Sequence, residues 1–211
     1  MTSPTAQKLT ERQTISVNQA KEYDHIILID QSGSMGEPSV KMKGKSRWQE
    51  AQEFTMGYAR FAESVDEDGI TVITFNSYST IYDGVKADKV QEIFTTLRPS
   101  GSTNLAGALE DAFRKKFAAG KKAIIMVLTD GEPNSPEAVK EVIVKAANKL
   151  EREGDIGIQF IQIGDDSTAT RFLNDLDDNL KGAKFDIVNS LTREEAEAYT
   201  IEQLLWLAVN D

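Results

Sequence analysis

Cysteine is absent from the chain, which removes disulfides, thiolate metal sites and cysteine nucleophiles together and leaves the redox compartment open. Histidine is nearly absent too, with His25 the single residue of its kind. No stretch reaches the roughly 18 consecutive apolar residues of a membrane span. The opening MTSPTAQKLTERQTISVNQAKEY is polar and lacks the apolar segment of a secretory signal. The expectation is a cytoplasmic protein without membrane insertion. Positive charge is in the minority: 24 Lys plus Arg against 34 Asp plus Glu give a formal net charge of -10. That balance argues against a nucleic-acid binder held by phosphate contacts.

What is present suits a folded protein. With 40% hydrophobic and 27% charged residues, disorder is not the default. A chain of 211 residues is long enough for one α/β domain with a full core and short for two. Residues 1–22 show no sustained periodicity and read as an N-terminal arm or tail, with residues 23–211 as a single domain.

Within that domain, short apolar runs alternate with amphipathic segments. HIILI (25–29), ITVITF (70–75), AIIMVL (123–128), IGIQFIQI (156–163) and KFDIV (184–188) have strand length, and most are rich in Ile and Val, as strands buried on both faces are. The pattern predicts a helix from Trp48 that presents Ala51, Phe54, Tyr58, Phe61 and Val65 on the same face. It predicts others at 86–95, 105–118, 137–152, 169–178 and 193–209. Ser135-Pro136 and the Thr192/Glu195 pair are helix-start signals. SYSTIYDGV (77–85) follows its predecessor too closely for a parallel crossover and reads as an antiparallel edge strand. The fold class is therefore α/β: a Rossmann-like, doubly wound sheet, mainly parallel with one antiparallel edge strand, and helices on both faces.

In such sheets ligands bind at the carboxyl ends of the strands. Those ends carry Asp30-Gln31-Ser32-Gly33-Ser34, Asn76, Thr129-Asp130-Gly131-Glu132 and Gly164-Asp165-Asp166. Oxygen donors without nitrogen or sulfur suit a hard cation, Mg²⁺, Mn²⁺ or Ca²⁺. In DQSGSM (30–35), alternate positions can aim Asp30, Ser32 and Ser34 at one point, with Gly33 giving the backbone freedom to bend. The alternative is that the serines cap the next segment and Asp30 is a turn residue.

Further along, GSTN (101–104) puts Thr103 in a loop before a helix, and TDG puts Asp130 after AIIMVL. With D-x-S-x-S at Asp30, Ser32 and Ser34, this arrangement resembles the von Willebrand factor A (vWA) domain from about residue 22 onward. The five positions are similar to that family's metal-ion-dependent adhesion site (MIDAS) and all are filled. The resemblance is to the bacterial cytoplasmic type. It implies that the serines, and in some conformations Thr103, ligate the ion directly while Asp30 and Asp130 act through water. It also implies an open position for water or for an Asp or Glu from a protein partner. Relatives of this kind commonly work inside multiprotein assemblies or beside ATPases, and this chain has no ATPase motif of its own.

KGKS (43–46) resembles the end of a phosphate-binding loop, but the required earlier glycine falls at Ser39 and no strand directly precedes it. The segment 37–47 carries Lys41, Lys43, Lys45 and Arg47 and reads either as an attractor of acidic partners or as a mobile solvated loop. Asp165 and Asp166 read as a helix cap ahead of an extension of the acidic rim, Glu132 and Asn134 as supports of the site or else as loop residues, and Asp66-Glu67-Asp68 as a solvated turn. His25, about 16 Å from Asp30 along the strand, reads as structural, and Trp206 as core or helix packing.

Three functions compete. The first is a cation-dependent protein-interaction module with no enzymatic activity. The second is a scaffold with a purely structural ion. The third is a metal-assisted phosphoester hydrolase, for which Ser32 stands where an acid would be wanted. Alanine at Ser32, Ser34 or Asp130 is expected to weaken metal binding and leave the fold intact, on the premise that these residues line an exposed sheet edge.

Overall fold

A computed structural model describes residues 13–65 and 68–210. Among these residues six strands form one sheet: β1 (Tyr23–Asp30), β2 (Ile70–Phe75), β3 (Ser79–Val85), β4 (Lys122–Thr129), β5 (Ile156–Gln162) and β6 (Val188–Thr192), in the order β3-β2-β1-β4-β5-β6. All neighbouring pairs are parallel except β2 with β3. The hydrophobic runs at 25–29, 70–75, 123–128 and 156–163 supply the four interior strands, and the edge strand after Asn76 is antiparallel as expected.

The helices are α1 (Val17–Ala20), α2 (Arg47–Val65), α3 (Ala87–Thr96), α4 (Leu105–Ala119), α5 (Pro136–Ala147), α6 (Ser167–Asp178), α7 (Arg193–Ala196) and α8 (Ile201–Asn210). Strand alternation divides the core between the two faces of the sheet. Ile27 and Ile29 of β1 and Ile124, Met126 and Leu128 of β4 pack with α2, α3 and α8. Ile26, Leu28, Ile125 and Val127 face the other way, onto α4, α5 and α6. Each such aliphatic side chain, fully buried, contributes about 1.5–3 kcal/mol. That is why the central strands have no polar face in sequence. Gly157 of β5 has a close-approach role: a Cβ there would lie 1.9 Å from the Ala208 carbonyl oxygen of α8.

The helix from Trp48 buries Trp48, Ala51, Tyr58 and Val65, with Phe54 and Phe61 partly buried against the same core. Ser135 caps α5 beside Pro136, and Thr192 and Glu195 form the reciprocal cap of α7. Trp206 packs, partly buried, on the α2 side. His25 is buried and bridges Tyr58 Oη (2.9 Å) and the Ala20 carbonyl (3.1 Å), which joins α1 to β1 and α2.

Three expectations need correction. The last strand is Val188–Thr192, not 184–188. Its sequence VNSLT has a weak apolar signal because an edge strand is only half covered, while Phe185 and Ile187 pack into the core just before it. The expected helix 193–209 is two helices. Thr200 N–H donates to Gln203 Oε1 (2.9 Å) and Gln203 N–H to Thr200 Oγ1 (3.3 Å), a further capping box whose T-x-x-Q signal is present in the sequence. The helix expected to run to 152 stops at Ala147, because the Asn148 side chain turns to the Gly182 carbonyl (3.0 Å) and the Lys184 N–H (2.8 Å).

Of the arm read at 1–22, residues 1–12 lie outside the described residues. Ile15 is buried and its N–H donates to the Glu202 carbonyl (3.1 Å). Asp66 and Glu67 of the acidic run also lie outside the described residues. Among those described, no helix is long and apolar enough to cross a membrane.

Candidate metal centre

The strand order reverses at β1, between β2 and β4, and a crevice at the carboxyl ends is expected there. Four of the residues singled out in the sequence, Asp30, Ser32, Ser34 and Asp130, are joined here by hydrogen bonds. Asp30 ends β1 and is fully buried. Its Oδ1 accepts the Ser32 N–H (2.8 Å) and its Oδ2 accepts the Thr129 hydroxyl (2.6 Å) from β4. Ser32 Oγ and Ser34 Oγ are 3.1 Å apart, and Ser34 Oγ donates to Asp130 Oδ1 at 2.8 Å. The turn Gly33–Gly36 is a single 3-10 turn, and Gly33 keeps an ordinary negative φ, so it does not supply an unusual bend. Its N–H donates to the Gly101 carbonyl (3.2 Å) of the threonine loop, and a Cβ at Gly33 would meet that oxygen at an ordinary 3.7 Å.

That loop is held at several points. Ser100 N–H donates to the Gln31 carbonyl (2.8 Å) and Asn104 N–H to the Asn76 carbonyl (2.8 Å). Asn134 clasps Thr103: Thr103 N–H donates to Asn134 Oδ1 (3.0 Å), and Asn134 N–H returns a bond to the Thr103 carbonyl (2.9 Å). Asn134 Nδ2 also donates to Ser102 Oγ (3.0 Å). Asn104 caps α4 through Gly107 N–H (3.2 Å). Thr103 is buried.

The premise of an exposed edge holds for Ser34 but not for the other two. Ser32 and Asp130 are only 2% and 1% exposed, because the loops after β1 and β2 and before α4 roof the strand ends. Burial pushes the Asp30 carboxyl up to about 6. Hydrogen bonds from Ser32 and Thr129 oppose that rise without cancelling it, and the charge of Asp130 adds to it. A buried carboxylate held at that cost, with a second one beside it and hydroxyl oxygens around both, is a donor set that fits a hard divalent cation. Among the described residues no three carboxylate or imidazole groups gather to hold a metal. The set consists instead of two carboxylates supplemented by hydroxyls.

Two side chains matter that sequence reasoning gave no such role. Thr129 orients Asp30, and its only signal was a hydroxyl preceding the aspartate in TDG. Arg47, the first residue of α2, reaches Asp130: its Nη1 donates to Oδ2 at 2.8 Å. The rest of the basic segment is tied to the fold at several points, while Lys43 and Gly44 are exposed. Pro38 and Ser46 form an antiparallel bridge, and Ser39 Oγ donates to the buried Glu50 (2.7 Å) and accepts Met42 N–H (2.8 Å). Lys41 pairs with Glu197 and Lys45 with Glu53. KGKS is thus part of a pinned loop that no strand directly precedes. Asp166 caps α6 by accepting Thr168 N–H (2.7 Å) and Ala169 N–H (3.0 Å), as read from the sequence. Asp165 and Glu132 are exposed. On the same edge two apolar side chains stand in solvent, Tyr78 (83% exposed) in the β2–β3 turn and Val40 (66%) in the pinned loop.

The family model for the von Willebrand factor type A domain matches residues 25–132, just over half of the chain, a span that includes Asp30, Ser32, Ser34, Arg47, Thr103, Thr129 and Asp130. Comparison with the curated proteins returns no match. Among solved structures, the manganese-loaded TRAP protein of Plasmodium vivax is 22% identical, covering 89% of this chain and 74% of that one, with a TM-score of 0.59. A von Willebrand factor type A protein from Catenulispora acidiphila is 18% identical (89% and 42% covered, TM-score 0.59). The pilus adhesin SpaC from Lactobacillus rhamnosus GG is 17% identical (86% and 30% covered, TM-score 0.58). This chain spans less than half of the latter two. At these identities the likeness is one of fold.

Proposed function

Since the chain belongs to the von Willebrand factor type A domain family, we propose that it is a divalent-cation-dependent protein-interaction module. Its metal-ion-dependent adhesion site would be Asp30, Ser32, Ser34, Thr103 and Asp130, and its partner would present an Asp or Glu side chain. The observation that carries this reading is the hydrogen-bonded chain from Asp30 through Ser32 and Ser34 to Asp130, beside the Thr103 loop. Mg²⁺ is the expected ion, with Mn²⁺ or Ca²⁺ as substitutes; when bound it would supply a Lewis-acidic position for a partner carboxylate. The manganese in the Plasmodium vivax relative supports a divalent ion in this family.

The chain's own groups perform the remaining tasks. Thr129 and the Ser32 N–H hold Asp30 in one orientation, Asn134 clasps Thr103, and the Gly33 N–H ties the threonine loop to the serine loop through the Gly101 carbonyl. Tyr78 and Val40 give the rim exposed apolar area of the kind protein interfaces use. A hydrolase would need a base to activate a nucleophile. The lone histidine is committed to Tyr58 and Ala20, at the other end of β1. We read the chain as non-enzymatic, cytoplasmic, with residues 23–211 as its domain and 1–22 as an arm.

A second reading, a scaffold whose ion only ties strand ends, draws on the fact that both oxygens of Asp30 and of Asp130 already have protein partners. The test is calorimetric titration of Mg²⁺ and Mn²⁺ into the wild type and Ser32→Ala, Ser34→Ala and Thr103→Ala, followed by an acidic peptide library with and without chelator. The module reading expects at least about tenfold weaker ion binding in the serine variants and carboxylate-dependent capture that chelator abolishes. Ion affinity unchanged in all three variants sinks the site. Ion binding with capture indifferent to chelator selects the scaffold.

A further inference from the structure

Arg47 occupies a prepared seat. Its guanidinium reaches Asp130 (2.8 Å), its side chain is 18% exposed, and its Nε is buried without a hydrogen-bond partner. Gly164, in the turn after β5, runs directly against it: with φ +80, a Cβ at Gly164 would lie 3.0 Å from Nε and 3.2 Å from Cζ. The charge of Arg47 also helps hold the Asp166 carboxyl below its usual range, after the Ala169 and Thr168 amides. Helix stability does not explain the placement. A cation on the first residue of a long helix opposes the helix dipole, which favours anions there.

We propose that Arg47 is a positioning residue for the metal centre, an internal counter-cation that neutralises Asp130. The inference rests on the metal reading above. Of the two buried carboxylates, Asp130 shares its charge with the guanidinium while Asp30 has only neutral partners, Ser32 and Thr129. Two consequences follow from charge alone. The affinity for a divalent ion is held below what two free carboxylates would give, and the ion-loaded site keeps a net positive charge, because two carboxylates face a dication plus a guanidinium. Such a site favours an anionic ligand, so Arg47 exchanges strength of ion binding for selectivity toward a carboxylate partner.

Mn²⁺ is titrated into the full chain by calorimetry and electron paramagnetic resonance, with acetate as the carboxylate probe, for wild type, Asp30→Ala, Arg47→Gln and Arg47→Lys. Thermal melts establish that each variant is folded. Arg47→Gln is expected to bind Mn²⁺ about ten- to hundredfold more tightly, the order for one unit charge removed at short range. It is also expected to lose most of the acetate response, while Arg47→Lys stays within about threefold of wild type on both readouts. If the wild type binds Mn²⁺, Asp30→Ala does not, and Arg47→Gln is equal to or weaker than wild type, the role of Arg47 is overturned and the metal reading stands. If the wild type takes up no Mn²⁺, the metal reading fails and the inference falls with it.

Discussion

The Thr129 hydroxyl donates to Asp30 Oδ2 at 2.6 Å across the junction of β4 with β1, while the Ser32 N–H takes the other oxygen at 2.8 Å. Both oxygens of a fully buried carboxylate are therefore satisfied by neutral donors. Thr129→Val keeps the shape and removes one donor. Unfolding by urea should show a loss of about 1–3 kcal/mol, the cost of leaving a buried acceptor unpaired. A loss below about 0.5 kcal/mol would mean that the bond does not hold Asp30.

The same burial makes the ion-free protein pH-sensitive. The Asp30 pKa in the fold, about 6, lies above its ordinary value of 3.8. The folded state therefore prefers the protonated acid. The contribution of Asp30 to stability is complete below about 3.8 and is lost as pH rises through about 6. Asp30→Asn mimics the neutral form. In chelator, the stability of Asp30→Asn relative to wild type should improve between pH 4.5 and pH 7.5, measured by paired denaturation curves. A difference that stays flat or moves the other way contradicts the assignment.

Asn134 clasps the threonine loop through Thr103 and Ser102. Asn134→Ala should leave the global melting point nearly unchanged, since Asn134 is exposed. The amides of residues 101–104 should exchange with solvent about tenfold faster, the equivalent of one lost hydrogen bond of about 1.4 kcal/mol. Unchanged protection of Thr103 would show that the loop is held by its contacts to Gln31, Gly33, Asn76 and Ser77 without Asn134.

Gly164 is required by both backbone and contact. Alanine there must adopt φ +80 and would press on the Arg47 guanidinium. Gly164→Ala should cost about 1–2 kcal/mol of stability from the left-handed backbone. By dislodging Arg47 it should also shift Mn²⁺ affinity in the same direction as Arg47→Gln. A stability loss with Mn²⁺ affinity unaltered would separate the seat from the charge.

The sequence by itself determined the sheet class, the identity of the central strands and the oxygen-rich ends of β1 and β4. Buried strands and strand-end motifs are written in local runs such as HIILI-DQSGSM and AIIMVL-TDG. It also carried the caps at Ser135, Thr192 and Asp166, which depend on residues only a few positions apart. Where exposure blurs the apolar pattern, as in VNSLT of β6, the local signal was too weak to fix the boundary. Tertiary structure alone decided that Asp30 is buried deeply enough to be pushed toward neutrality, that Thr129 is its donor, and that Arg47 lies on Asp130. Those facts join positions up to 99 residues apart. They depend on which strands become neighbours and how the roofing loops exclude water, and no local spacing encodes either.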